Sequence, residues 1–369
     1  MALLNFSQPF IAEDTIAAMA ETMRSGWIAS GPRVPEFERA LSRTFGDRPT
    51  RTLTSATGAM ELALLACGIG PGDEVITSTQ SFFSTMNMIV KVGARPVFVD
   101  CDLVTRAIDL DQVDSAITSR TKAIVPTHFP GALGDMDELY ALARRRNLRV
   151  IEDAALVQGS EWNGRPIGSF GDIATFSFHP NKNMTTIEGG AIVVPDEATA
   201  RRIEVLRFHG IERLPDDTRD VAVASGKYNM SDVSAAIGMA QLARLPGFLA
   251  HRRRLADHYF EVFPQIENAV LPPRGVEGQS WNMFCVLLPY ERLGTTRQAF
   301  RAALRERGIA TGLSYEPSHL TSVGRSFGYR RGQFPNAERI GDETVTLPLH
   351  CGMDVADVAR VCEAIREII

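Results

Sequence analysis

The chain has 369 residues, 44% of them hydrophobic and 22% charged, with a formal net charge of −5. That balance describes an ordinary globular protein, and the lack of a basic stripe argues against nucleic acid as a partner. The length exceeds what one core comfortably serves, so a large domain and a smaller one are expected. Cys67, Cys101, Cys285, Cys351 and Cys362 form no close pair and no metal-ligand spacing, so free thiols in a reducing compartment and no metal site are expected. The opening Met1-Ala2-Leu3-Leu4-Asn5-Phe6 lacks a charged region followed by a long apolar run, so no signal peptide is expected. No uncharged apolar segment reads as long enough to span a bilayer. A cytoplasmic protein with no membrane partner is the expectation.

Residues 15–24 and 35–45 read as helices. The linker Ser25-Gly26-Trp27-Ile28-Ala29-Ser30-Gly31-Pro32 is rich in breakers and is either a plain loop or one that presents Trp27 to a substrate. From residue 51 to about 195, short apolar runs (51–55, 74–77, 96–99, 123–125, 149–151, 173–178) alternate with helical patterns (57–67, 83–92, near 111–117, 136–146). This alternation predicts an α/β fold with a mainly parallel sheet covered by helices on both faces. Residues 197–208 and 231–245 read as helices around a polar segment, 212–227, that is either flexible or held by another subunit. Pro246-Gly247 starts a long basic helix through about residue 263, the expected bridge from a large domain (1–245) to a smaller C-terminal α+β domain (246–369). The latter has strands at 281–288 and near 310–313, and helices at 296–307 and 355–368. His251-Arg252-Arg253-Arg254 on the bridge reads as one exposed face.

The chemistry concentrates in residues 171–190, where a short apolar strand breaks at Pro180 into a polar loop carrying Lys182 and closes on Gly189-Gly190. Upstream, Asp153 ends the strand Val150-Ile151-Glu152-Asp153, and Ser55-Ala56-Thr57-Gly58-Ala59 places small residues and hydroxyls at a strand-to-helix turn. A phosphate cradle, a strand-end aspartate and a lysine, in that order, are what an enzyme of pyridoxal 5'-phosphate (PLP) requires. The phosphate needs N–H donors at a helix start, which Thr57 and Gly58 suit and to which Ser177 adds a hydroxyl. A buried carboxylate keeps the pyridine nitrogen protonated, a role for Asp153. The aldehyde needs a lysine amine that also shuttles a proton, a role for Lys182. Phe82 or Phe83 can cover the ring, the alternative being that both are core. His179 reads as a cap or a substrate contact, His209 as structural or functional, and His319 as structural or a substrate contact. Ligands of open α/β sheets sit at the carboxyl ends of the strands, so one crevice is expected to hold Thr57, Asp153 and Lys182 together.

These residues resemble the DegT/DnrJ/EryC1/StrS family of sugar aminotransferases, of the aspartate-aminotransferase fold type I, across nearly the whole chain. The likeness is carried by Gly26-Trp27, Gly31-Pro32 and Phe37-Glu38 at the start. It continues in Gly68-Ile69-Gly70-Pro71-Gly72-Asp73-Glu74-Val75, Gly93-Ala94-Arg95-Pro96-Val97-Phe98-Val99-Asp100 and Thr121-Lys122-Ala123-Ile124-Val125-Pro126. Phe176-Ser177-Phe178-His179 through Lys182-Asn183 to Glu188-Gly189-Gly190 matches the lysine motif; Ala235-Ala236-Ile237-Gly238, Gln241-Leu242 and Leu347-Pro348-Leu349 complete the set. The resemblance implies Lys182 as the Schiff-base lysine, Asp153 on the pyridine nitrogen, Phe82 stacked on the ring, and Thr57, Gly58 and Ser177 at the phosphate. It also implies a homodimer with shared active sites, in which the segment before Met230 reaches into the neighbour, and the amination of a nucleotide-linked keto sugar with glutamate as donor.

Two positions depart from the family. Leu156 stands where Gln or His usually reaches the cofactor's ring oxygen, with Gln158 two residues on. Lys227-Tyr228-Asn229-Met230 stands for the usual Asn-Tyr-Arg-Met, so Lys227 and Asn229 take the places of residues presented to the neighbour's cofactor and substrate. Two rival readings are a sugar dehydratase of the same family, in which histidine replaces the lysine, and a non-catalytic PLP-binding regulatory protein. Lys182 and Asp153 are both present, which favours the aminotransferase.

Overall fold

The computed structural model describes residues 3–129 and 132–369, so Met1 and Ala2 of the N-terminal reading lie outside it. Two helices, α1 (Glu13–Arg24) and α2 (Arg33–Thr44), precede β1 (Thr50–Leu53), α3 (Ala56–Ala66), β2 (Glu74–Ser78), α4 (Phe83–Lys91), β3 (Arg95–Val99), α5 (Leu110–Ala116), β4 (Thr121–Val125), α6 (Met136–Arg146) and β5 (Arg149–Asp153). A hairpin of β6 (Glu161–Trp162) and β7 (Arg165–Pro166) leads to β8 (Ile173–Ser177) and β9 (Gly190–Val193). Then come α7 (Glu197–Arg207), a hairpin of β10 (Ile211–Arg213) and β11 (Arg219–Val221), and the long α8 (Asp232–Val262). The C-terminal part contains β12 (Phe284–Leu287), α9 (Arg297–Glu306), α10 (Ser322–Ser326), α11 (Pro335–Glu343), β13 (Thr344–Leu347) and α12 (Val355–Ile368).

Seven strands form the central sheet in the order β1-β9-β8-β5-β4-β2-β3. Only β9 runs against the rest, paired antiparallel to both β1 and β8. Successive strand residues enter opposite cores, as the period of two demands. Ile76, Ile124, Val150, Ala174 and Ala191 join Phe37, Leu41 and Leu139 on one face. Val75, Val125, Ile151, Ile173 and Ile192 join Leu62, Leu64 and Ile203 on the other. A sheet buried on both faces reads as apolar runs without alternation, which is why these strands stand out in the sequence. Side-chain caps hold the helix starts: Ser55 accepts from Gly58 N, Asp135 from Glu138 N and Asp196 from Thr199 N.

A separate core surrounds the antiparallel pair β12–β13 and includes Tyr259, Phe284, Phe300, Val345 and Val361. Leu4 belongs to this core and bridges to Ile309, so the first described residues pack with the C-terminal unit. Met86 and Phe98 pack against Leu287, Phe334 and Ile340 at the seam between the two parts.

Three readings are corrected. The break expected at Pro246-Gly247 does not occur, because α8 runs unbroken for 31 residues with Pro246 inside it. Proline removes one backbone bond, and packing against α1, α2 and α12 holds the helix across the gap. Arg252 is enclosed rather than exposed, because its guanidinium satisfies the carbonyls of Trp281, Asn282 and Leu349. The strand near 310–313 reduces to a single bridge between Gly312 and Thr346. By length and composition α8 is apolar enough to cross a membrane, as a helix packed on three others in a core also is. The polar segment 212–227 holds the β10–β11 hairpin.

Candidate active site

The carboxyl ends of β1, β2, β4, β5 and β8, and the amino end of the reversed β9, fall on one edge of the sheet. The register sets Asp153 beside Thr175, and Ser177 and Leu53 beside Gly190. A cleft of about 230 Å³ opens there. Thr57, Phe82, Thr127, Asp153, Leu156, Thr175, Ser177, His179, Lys182, Glu188 and Tyr315 are among the residues that line it. A roomier groove at the opposite edge, near Gly72, Glu74, Arg95 and Arg120, is open surface. Its carboxylates are already engaged, Glu74 by Arg120 at 2.6 Å and Asp73 by Gly70 N at 3.0 Å.

Asp153 is nearly enclosed. Oδ2 accepts from Thr85 Oγ1 at 2.8 Å and Oδ1 from Ala155 N at 3.2 Å, which fixes the carboxylate plane while leaving lone pairs for a donor in the cleft. Lys182 follows a turn closed by its own N–H on His179 O at 2.9 Å. Its side chain keeps some surface open to the cleft, but burial of the amine strips the ammonium of water and pushes its pKa down to about 8, against the opposing charge of Asp153. An amine so placed is half neutral near pH 8.

At the start of α3, Gly58 N is taken by Ser55 Oγ and Ala59 N by Ser55 O. The N–H groups of Ala56 and Thr57, both in the cleft wall, have no protein partner among the described residues. Gly190 lets β9 pass directly beneath this turn: a Cβ there would stand 2.4 Å from the Ser55 carbonyl carbon. Ser177 Oγ accepts from His179 N at 3.4 Å, so its own proton is free to be donated. These donors together make a cradle for an anion.

Phe82 is 51% exposed in the cleft, with its ring 5.4 Å from that of Tyr315. Phe83 starts α4 behind it. His179 stands at the mouth, half-exposed, with Nδ1 on Asn181 Oδ1 at 2.9 Å and Glu188 4.0 Å from Nε2. Leu156 lines the cleft and packs with Phe129, Met283, Cys285 and Tyr315. Gln158 is enclosed away from the lining, and its amide atoms have no partner among the described residues.

Other expected residues fall outside this cleft. Gly58, the next residue of α3 after Thr57, faces Tyr228 instead, and a Cβ there would sit 2.9 Å from its ring. Trp27 is 61% exposed. Lys227 is exposed, bridged through its backbone to Phe208. Asn229 Nδ2 donates to Ser30 Oγ at 2.9 Å, and with Asp232, which accepts from the N–H groups of Gly31, Arg33 and Val34, it ties the Trp27 loop to the start of α8. His319, expected as a substrate contact, is fully enclosed and absent from the cleft lining, because its ring is engaged by Thr79 and Glu338.

The sequence reading missed the contributions of the C-terminal part. Tyr315 forms one wall, and Asn282 Nδ2 braces the lysine loop through Asn181 O (3.1 Å) and Asn183 Oδ1 (3.3 Å). Neither lies in a local pattern, and only homologous motifs could have flagged them.

The sequence profile of the DegT/DnrJ/EryC1/StrS aminotransferase family matches residues 9–366. The chain is 38% identical to the spore coat polysaccharide biosynthesis protein SpsC of Bacillus subtilis (strain 168), covering 99% of this chain and 97% of that one. Its structure is similar to that of Spr1654 from Streptococcus pneumoniae, assigned as a sugar aminotransferase. The PMP-form of that protein superposes with a TM-score of 0.93 at 31% identity, covering 99% of this chain and 97% of that one. The PLP-form does so with a TM-score of 0.92 at 30% identity over 100% of both. The aminotransferase TlmJ from Streptoalloteichus hindustanus aligns with a TM-score of 0.91 at 32% identity, over 99% of this chain and 98% of that one.

Proposed function

The chain belongs to the DegT/DnrJ/EryC1/StrS aminotransferase family, and we propose that it transfers an amino group from glutamate to a nucleotide-linked keto sugar. It is a PLP-dependent aminotransferase of the α/β architecture shared by the sugar aminotransferases it superposes on. The residues of the cleft suit the cofactor. Unpartnered N–H groups of Ala56 and Thr57 with the Ser177 hydroxyl answer a phosphate, the fixed Asp153 carboxylate answers a protonated ring nitrogen, and the Phe82 face answers a flat ring. The single observation that carries the reading is an amine with a pKa brought down to about 8 beside a buried aspartate on one sheet edge.

When bound, PLP supplies an aldehyde that accepts the amino group and a ring that withdraws electrons from the reacting carbon. Lys182 is the residue that would hold the aldehyde, and once displaced its amine takes a proton at one step and returns it at another. The lowered pKa suits both roles, because the neutral form accepts and the charged form donates near neutral pH. Asp153 is the residue that would accept the N–H of a protonated ring nitrogen, and Thr85 and Ala155 stop its carboxylate from rotating away. The Trp27 loop and the segment of Lys227 and Asn229, which stand outside this chain's own cleft, suit a homodimer in which each reaches the other's site. Lys227 brings a point charge toward an anion, and Asn229 a polar contact. The name of SpsC is consistent with a sugar destined for polysaccharide, and the thiols with a cytoplasmic setting.

The test is the ultraviolet–visible spectrum of the purified protein before and after glutamate, beside Lys182→Ala. A visible band that converts with glutamate in wild type and is missing in the variant is expected. A band indifferent to glutamate would remove glutamate as the donor, and a protein that never takes up PLP would sink the whole reading.

A further inference from the structure

The loop between β2 and α4 carries Phe82 into the cleft, yet Thr79, Gln80 and Ser81 before it are completely enclosed. What encloses them is the strap that runs from Tyr315 to Leu320 in the C-terminal part. Thr79 O accepts from Ser318 N at 2.8 Å, and Thr79 Oγ1 accepts from His319 N at 3.0 Å. The same hydroxyl lies 2.7 Å from His319 Nδ1. Nε2 faces a carboxylate oxygen of Glu338, which only accepts, so in a neutral ring Nε2 carries the proton and the bare Nδ1 accepts from Thr79 Oγ1–H. Nε2–H then donates to Glu338 Oε1 at 3.1 Å. Glu338 is itself held by the N–H groups of Gly332 and Phe334. Burial lowers the His319 pKa against the pull of Glu338, in keeping with a neutral ring. Gln80 Nε2 adds a bond of 3.2 Å to Tyr315 O.

We infer that His319 is a positioning residue: through Thr79 it fixes the loop 79–82, and with it the angle of the Phe82 ring and the start of α4, from which Thr85 holds Asp153. The inference rests on the reading of Phe82 and Asp153 as cofactor contacts. It differs from a general structural role because the chain Glu338–His319–Thr79 ends on the backbone of one cleft loop. Its loss therefore loosens that loop before it loosens the sheet.

The experiment compares Thr79→Val, which removes the hydroxyl at nearly constant volume, with two changes at His319. His319→Phe keeps a ring beside Phe334 without the acceptor, and His319→Asn keeps an acceptor at the Nδ1 position. Amide hydrogen exchange is followed in the cofactor-free protein, and circular dichroism of the visible cofactor band, kcat and KM in the loaded one. Thr79→Val and His319→Phe are expected to speed exchange at residues 80–83 by about tenfold, the cost of one buried hydrogen bond. Exchange in β8 and β9 should stay at the wild-type rate. The visible dichroism should shrink and kcat fall with KM little changed, and His319→Asn should recover most of both. Wild-type exchange and dichroism in Thr79→Val, or exchange that rises evenly over the whole sheet, would overturn the inference. If His319→Phe does not fold, Thr79→Val decides alone. A wild-type protein that binds no PLP would sink the function while leaving the exchange result to judge the clamp.

Discussion

Asp153 and Ile187 stand by the same cleft and are held in opposite ways. Asp153 ends a central strand, almost enclosed, with its carboxylate tied to Thr85 and Ala155. Ile187 leaves half its surface in solvent and adopts φ +71°, a left-handed conformation that a β-branched residue resists. Its N–H is caught by Thr185 Oγ1 at 2.9 Å, while Thr186 Oγ1 donates to Glu188 O at 2.8 Å. The floor of the cleft is placed by strand register and burial, and its rim by side-chain bonds that bend a loop against its preference. Groups that must not move sit on the floor. Groups that must admit a substrate sit where the chain is shaped by local bonds and not by the sheet.

The sharpest way to break this contrast is at the floor. Lys182→Ala should lower transamination by at least about 10³-fold, the combined loss of a covalent anchor and a general acid–base group, with the thermal midpoint close to wild type. Asp153→Asn should cost about 10²-fold in kcat/KM and carry a pH signature. Below its pKa Lys182 is an ammonium and does not attack an aldehyde, so PLP uptake by the cofactor-free wild type should rise with pH through about 8. Asp153 holds that pKa up, so the midpoint of the uptake curve should move to lower pH in the variant. A midpoint that moves upward would show the charge coupling to be wrong.

Away from the cleft, Asp232 is enclosed and accepts three N–H bonds from the Trp27 loop and the first turn of α2. Asp232→Ala leaves three donors without partners and should destabilise the protein by about 3 kcal/mol, read as a lower denaturant midpoint at constant slope. At the rim the sign reverses. Ile187→Gly relieves the left-handed backbone and should stabilise by about 1 kcal/mol, since the lost side chain is half-exposed. Destabilisation by this change would mean that the exposed isoleucine has a packing partner, and the rim would then be built like the floor.

How much of this was legible follows from the same division. Thr57, Asp153, Ser177 and Lys182 could be placed on one edge from sequence alone, because parallel strands all deliver their carboxyl ends to the same side. β9, by contrast, is four residues long and begins on a glycine, and nothing in it announces that it runs backwards between β1 and β8. Tyr315, Asn282 and His319 reach the cleft or its supports from more than 90 residues downstream of Lys182, a proximity fixed by the packing of two cores and by no local period. His319 misled for a physical reason: a histidine with two buried partners and one with a substrate look identical in a sequence. Pro246 misled because propensity was overridden by packing on both sides of α8.

That helix has a mechanical consequence. At 1.5 Å per residue it is a beam roughly 45 Å long, clamped by α1 and α2 at one end and by α12 at the other. The C-terminal part therefore cannot swing as a weight on a string, and any change in its tilt toward the sheet has to flex the beam. Stiffness is lowest where a backbone bond is missing, at Pro246. With about 16 residues beyond that point as a lever arm, a bend of about 5° carries the far end roughly 2 Å.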